Sequence, residues 1–296
     1  MISGRVLYGP PPGRPLPNAW VVLHAVSAGG GGQPIDSART DGRGAYTLTI
    51  HRPDSSAIYV VSSWRAGIAY FSEPVPRDGQ GARTSLQPLY VYDTSSTGPA
   101  MRLARRLVTV TKVKQDGTRD VLELIELENP GTATRVAADT LRPTWAGAIP
   151  TTAIQFQVGQ GDVSPQAVAL RGDSVSVYGP LPPRERKQLS YAYVLPATVR
   201  RIDLPIDQAT DEVDLLLEDT AAVVTARALD SLGVENIEGR RFARYRSAGL
   251  AAGAPLAIVF TERRLTPEAV VPWVVGLAGL ALALGFVVAL RKPSRQ

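Results

Sequence analysis

The chain has 296 residues, 44% apolar and 20% charged, enough to bury two ordinary cores at roughly 150 residues per domain. Cysteine is absent and histidine occurs twice, which excludes thiol catalysis, disulfide scaffolds, zinc fingers and histidine-rich metal centres. The formal charge of +5 comes from basic residues scattered along the chain, with no recognition helix, so no nucleic-acid partner is expected.

Glycine (27) and proline (24) are plentiful, which predicts short strands and many turns. Residues 2–92 follow that pattern. A strand from Gly4 to Tyr8 runs into the loop Gly9-Pro10-Pro11-Pro12-Gly13-Arg14-Pro15, which cannot join a ladder. Ala19 to Val26 is a near-continuous apolar run, read as a strand buried on both faces, with Trp20 inside. After the glycines at 29–32 comes Thr40-Asp41-Gly42-Arg43-Gly44, a tight turn leading into the alternating strand Ala45 to Ile50. Ala57 to Ser63 and Ile68 to Phe71 complete the set. The two histidines read as structural: His24 as a core or rim residue and His51 as a surface turn residue.

Ser3-Gly4-Arg5-Val6, Leu16-Pro17-Asn18-Ala19-Trp20-Val21-Val22-Leu23, Thr40-Asp41-Gly42-Arg43-Gly44-Ala45-Tyr46-Thr47-Leu48 and Ile58-Tyr59-Val60-Val61 together resemble the carboxypeptidase regulatory-like, transthyretin-like module. The resemblance covers about a third of the chain. It implies a small seven-stranded β-sandwich for docking or spacing, over residues 1–92. The catalytic activity found in that family belongs to a separate zinc peptidase domain, for which this chain lacks ligands at motif spacing.

Residues 93–100 (DTSSTGPA) read as a linker, and 101–265 as one large or two small β-sandwiches with a possible split near 196–205. Leu107 to Lys114 and Val121 to Glu128 form a hairpin across Gln115-Asp116-Gly117-Thr118. The run Glu123-Leu124-Ile125-Glu126-Leu127-Glu128-Asn129-Pro130-Gly131 resembles strands of bacterial extracytoplasmic immunoglobulin-like domains. Asp211, Glu212, Asp214, Glu218 and Asp219 crowd one stretch and read as a solvated strand face rather than a glycosidase pair or calcium site. Arg240, Arg241, Phe242, Arg244 and Tyr245 interleave arginine with aromatics, the composition of protein interfaces. Trp64 and Trp145 are further interface candidates. No catalytic, cofactor-binding or metal-binding residue is assigned, and no enzyme activity is expected.

From Ala269 to Leu290 the chain carries 22 residues without a charge, roughly 33 Å as a helix and so long enough to span a bilayer. Thr266 and Pro267 supply start signals, giving a predicted transmembrane helix over 266–290. Gly276, Gly279, Ala281, Ala283 and Gly285 make smooth faces suited to helix packing. Arg291, Lys292 and Arg295 place the tail, 291–296, in the cytoplasm and the body in the periplasm of a bacterial inner membrane. Met1 to Arg5 carry no signal-peptide pattern, which an exported body needs, so three readings stay open: a leader removed before Met1, a true start upstream of it, or a tail-anchored cytoplasmic protein.

The expectation is an all-β, single-pass, non-enzymatic accessory subunit. Its partners would be the bilayer and integral membrane subunits of a larger complex, with no cofactor. The layout is similar to accessory subunits that brace reaction-centre–light-harvesting complexes, with a respiratory assembly as the other candidate. Neither histidine lies in the anchor, so it could not hold a pigment through imidazole. The alternative is a periplasmic or surface module that binds a glycan or peptide.

Overall fold

A computed structural model describes residues 1–27, 31–76, 83–226 and 228–260. The predicted anchor and its packing residues Gly276, Gly279, Ala281, Ala283 and Gly285 lie outside these residues. Among the described residues there is no α-helix, and none long and apolar enough to cross a membrane. The fold is all-β, with its strands in several sheets distributed over two compact units.

The first unit comprises Met1–Pro99 with the two returning segments Asn129–Val136 and Pro180–Arg184. Its strands are β1 (Ile2–Tyr8), β2 (Arg14–Pro15), β3 (Trp20–Val26), β4 (Gly32–Arg39), β5 (Ala45–Leu48), β6 (Ile58–Arg65), β7 (Ile68–Phe71), β8 (Thr84–Ser85), β9 (Leu89–Val91) and β10 (Thr94–Ser95). One sheet is built around β1, with β2 and β5 antiparallel to it and β8 and β9 parallel. The other has the order β4-β3-β6-β7, antiparallel throughout. Alternating side chains of both sheets meet in one core: Ile2, Val6 and Leu48 from the first, Val21, Leu23, Tyr59, Val61 and Tyr70 from the second. This is β-sandwich packing.

The residues that carried the sequence resemblance have local structural duties here. The Asp41 carboxylate accepts the backbone N–H of Arg43 and of Ala45, both at 2.8 Å. Those bonds, that of Ala45 first, hold its carboxyl below the usual range. Thr40 Oγ1 donates to the Leu16 carbonyl and accepts the Ala19 N–H, tying the turn to the entry of β3. Tyr46 lies over Gly4, its cross-strand neighbour, where a Cβ would come within 2.4 Å of the phenol oxygen. Burial pushes that phenol up to about 12. Gly44 has φ +72°, and a Cβ there would sit 2.5 Å from the Val6 carbonyl oxygen. Gly44→Ala is therefore expected to destabilise the first unit by ~2 kcal/mol or more, measured as a fall in its urea midpoint.

β3 departs from its sequence reading. Val21 and Leu23 are buried, but Trp20 is 47% exposed, so the strand buries one face only. An apolar run cannot distinguish a doubly covered strand from one whose outer face is apolar for another reason.

The second unit comprises Ala100–Glu128, Ala137–Gly179 and the described residues from Glu185 to Phe260. It starts with β11 (Arg102–Val110) and β12 (Arg119–Glu128). β13 (Thr134–Arg135) then belongs to the first unit, where it pairs in parallel with β10. Part of the stretch read as linker is thus strand. Pairing of two-residue strands rests on backbone groups alone and leaves no periodicity to read. Next come β14 (Trp145–Ala148), β15 (Ile154–Val158), β16 (Val168–Arg171), β17 (Ser174–Val177), β18 (Arg186–Leu195) and β19 (Arg201–Asp203). The last are β20 (Val213–Leu217), β21 (Val223–Thr225), β22 (Asp230–Ile237), β23 (Arg240–Ser247) and β24 (Ala257–Val259).

Seven of these form the main sheet, in the order β15-β18-β12-β11-β20-β23-β22. Two three-stranded sheets, β14-β17-β16 and β19-β24-β21, complete the unit. β12 alternates without interruption, burying Arg119, Val121, Glu123, Ile125 and Leu127 on one face. A bulge at Ala104 shifts the register of β11, so that Arg105 pairs with Glu126 and Arg106 with Ile125.

Candidate functional site

In the sequence, the charged residues of the second unit form separate acidic and basic stretches. The pairing of β20 with β23 sets them side by side, with Asp214 opposite Arg246 and Leu216 opposite Arg244. The Asp214 carboxylate is 1% exposed and accepts from three guanidinium groups. Arg246 grips it with two bonds of 2.9 and 3.1 Å, Arg105 reaches it at 2.7 Å and Arg244 at 3.3 Å. Burial opposes ionisation, but the bonds from Arg246 and Arg105 outweigh it and hold the carboxyl below its ordinary range. Arg244 also reaches Glu235, Arg102 pairs with Asp211, and Arg240 with Glu218 through its Nε at 2.8 Å. The acidic run is therefore not uniformly solvated: Asp214 is buried, whereas Asp211 is exposed and Glu212 partly so. Its members are the counter-charges of arginines on β11 and β23 and, for Asp219, of Arg119 on β12.

Beneath the opposite face of the same sheet lies a second charged cluster. Glu123 is 0% exposed and accepts Arg106 Nε at 2.7 Å, Tyr193 Oη at 2.9 Å and Tyr191 Oη at 3.1 Å. Arg106 also donates to the Pro205 carbonyl at 2.6 Å, while its Nη2 has no partner among the described residues. Burial works against the Arg106 charge, but the adjacent Glu123 carboxylate more than offsets this and raises its pKa. Burial, then the same carboxylate, pushes both phenols well up, so they remain neutral donors. A buried carboxylate with three donors is satisfied, and it has no exposed side from which to reach a substrate.

The interface candidates divide. Phe242 is 0% exposed and packs in the second unit's core, which corrects its reading as an interface residue. Trp145 is corrected likewise: it is 6% exposed, its indole N–H donates to Gln208 Oε1 at 2.8 Å, and its ring lies over Gly147. Arg240 and Arg244 are held in ion pairs, Tyr245 is half-buried and Arg241 is exposed. A mixed run of arginine and aromatics has the same composition whether its aromatics face a core or a partner, so composition could not separate them. Trp64, at 59% exposure, is the aromatic candidate that lies free on the surface.

Trp64 belongs to a larger feature. The outward face of the β4-β3-β6-β7 sheet carries Trp20 and Val22 on β3, Ile58, Val60 and Trp64 on β6, and Phe71 on β7. Val22 stands opposite Ser62, Ser62 opposite Phe71 and Val26 opposite Ile58, which puts these side chains on one surface. Ile58 is 50% exposed and Phe71 59%. His24 lies among them, bonded through Nε2 to Ser62 Oγ at 2.8 Å with its ring 6.3 Å from that of Phe71. Arg39 stacks on Trp20 at 5.1 Å. An antiparallel sheet normally turns polar side chains to water on its outer face. This one presents exposed aromatics on adjacent strands. Among the described residues no group of three His, Cys, Asp or Glu side chains comes together as a metal site.

No family model and no curated protein matches the sequence. Among solved structures, the chain is similar to a two-domain M1 zinc metallopeptidase, with 12% identity and a TM-score of 0.36 over 58% of this chain and 46% of that one. It is also similar to a candidate nutrient-binding protein of Legionella pneumophila, with 10% identity and a TM-score of 0.29 over 57% of this chain and 71% of that one. The chain thus spans under half of the metallopeptidase, and similarity at this level carries no functional argument.

Proposed function

We propose that the protein is a non-enzymatic, membrane-anchored accessory subunit that docks onto a larger membrane complex through the outward aromatic face of its first unit. The observation that carries this reading is that face, with Trp20, Ile58, Trp64 and Phe71 all between 47% and 59% exposed on neighbouring strands. Burying such side chains is worth about 1.5–3 kcal/mol each, so leaving four in water favours a partner that covers them. The apolar segment Ala269–Leu290 supplies the proposed anchor, a transmembrane helix with its tail in the cytoplasm and the body in the periplasm. Gly276, Gly279, Ala281, Ala283 and Gly285 would let that helix approach another in lipid. The resemblance of residues 1–92 to a transthyretin-like docking module fits the same role, its motif residues serving turns and packing.

The test is mild-detergent extraction from native membranes, native electrophoresis and mass spectrometry of what co-migrates, for wild type and for Trp64→Ser with Phe71→Ser. Both positions are exposed, so the double variant is expected to stay folded, with stability changed by ~1 kcal/mol or less. The wild type is expected in one large species of fixed composition and the variant as the free chain. Migration of the wild type alone would contradict the proposal. The same flat aromatic surface favours, as a second reading, stacking of a glycan. In that case the isolated chain would bind sugar and the double variant would not.

A further inference from the structure

Two depressions in the first unit meet at Tyr8 and Arg14. The larger, of about 520 Å³, is also walled by Pro10, Pro12, Asp93, Thr132 and Ala133, and the smaller, of about 330 Å³, by Leu16 and Arg65. Tyr8 closes β1, and two guanidinium groups lie against its ring, Arg65 at 4.8 Å and Arg14 at 5.1 Å from the centroid. The Tyr8 hydroxyl donates to Asp93, which also accepts Arg65 Nε at 2.9 Å. The phenol, the carboxylate and one guanidinium are thereby mutually occupied. Arg14 is the exception: it stacks on Tyr8 but has no hydrogen-bond or ion-pair partner among the described residues. Gly13, at φ +67°, brings the chain close enough to Leu7 and Tyr90 that a Cβ would be 3.0 Å from one and 3.1 Å from the other. That tight passage sets Arg14 down on the Tyr8 ring.

A planar guanidinium set against an aromatic ring, with its N–H edge unoccupied among the described residues, matches the two oxygens of a carboxylate. Pro10, Pro12 and Ala133 offer apolar surface for an adjoining carbon skeleton, and the cleft is of ligand size. The charges of Arg14, Arg65 and Asp93 leave one net positive charge, which suits a monoanionic group better than phosphate. We propose that this cleft binds a carboxylate, with Arg14 as the anion's partner and Tyr8 as the platform that orients it. The assignment is independent of the aromatic docking face, which lies on the other sheet.

The full chain is tested by equilibrium dialysis with four radiolabelled probes: succinate, acetyl-glutamate amide, acetyl-glutamine amide and inorganic phosphate. Saturable binding of at least one carboxylate is expected, with none of the glutamine analogue. Arg14→Gln and Tyr8→Leu should each weaken it by about tenfold or more, and Tyr8→Phe by far less, since the ring remains. Arg14 is exposed, so Arg14→Gln leaves the core intact, as circular dichroism would verify. Tighter binding of succinate identifies a free small acid as the source of the carboxylate, and tighter binding of the blocked glutamate identifies a peptide. No saturable carboxylate binding, equal binding by Arg14→Gln, or tighter binding of phosphate would each overturn the proposal.

Discussion

Glu123→Ala is expected to destabilise the second unit by about 3–5 kcal/mol, a large fraction of what an ordinary domain possesses. The loss comes chiefly from what is left behind. Arg106 is 4% exposed and already has one nitrogen without a partner among the described residues, and Tyr191 and Tyr193, at 2% and 1%, would have their hydroxyls stranded. The measurement is urea unfolding monitored by far-ultraviolet circular dichroism, with the free energy extrapolated to water. Removing the whole cluster together, as Arg106→Met, Glu123→Leu, Tyr191→Phe and Tyr193→Phe, is expected to recover most of that loss, because apolar groups of similar volume replace a desolvated ion pair without orphans. If the single substitution costs under ~1 kcal/mol, the cluster is not closed to water as described.

Asp214→Asn has the second largest expected effect, a loss of about 2–4 kcal/mol at neutral pH, since Arg105, Arg244 and Arg246 would converge on a neutral amide. The sign of its pH dependence follows from the depressed carboxyl. Its contribution is complete above the unfolded aspartate value of about 3.9 and fades as pH falls below that toward the folded value. Between about pH 4 and pH 2 the wild type should therefore lose stability more steeply than Asp214→Asn, and the two curves should converge. Parallel curves in acid would show that Asp214 does not carry this linkage.

Much of the first unit was legible in the sequence because its turns depend on residues of distinct type. Asp41 closes a turn with its carboxylate, Gly44 adopts a conformation that favours glycine, and Tyr46 covers a glycine on the next strand. The all-β class followed from the same punctuation. Two features were not legible, for related physical reasons. Strand alternation says which residues share a face but not what covers it, so Trp20 read as buried and Phe242 as an interface residue, whereas Trp20 is exposed and Phe242 buried. Pairing between distant strands is silent in one dimension, so the acidic residues at 211–218 and the arginines at 240–246 read as two surfaces. They form one ion-pair lattice because β20 and β23 are neighbours in the sheet. The returning segments Asn129–Val136 and Pro180–Arg184 are silent for the same reason, being joined to the rest of the first unit by backbone bonds such as that of the Thr134 N–H to the Asp93 carbonyl.

The aromatic face of the first unit is the centre of the functional account, and photo-crosslinking in native membranes tests it most directly. A photoreactive phenylalanine at position 64, with the same residue at exposed position 234 on β22 as control, reports what lies against each surface. The account predicts one discrete protein adduct from position 64, matching a component of the co-migrating complex, and no such adduct from position 234. An absence of protein adduct at position 64, or the same adduct from both positions, would contradict it.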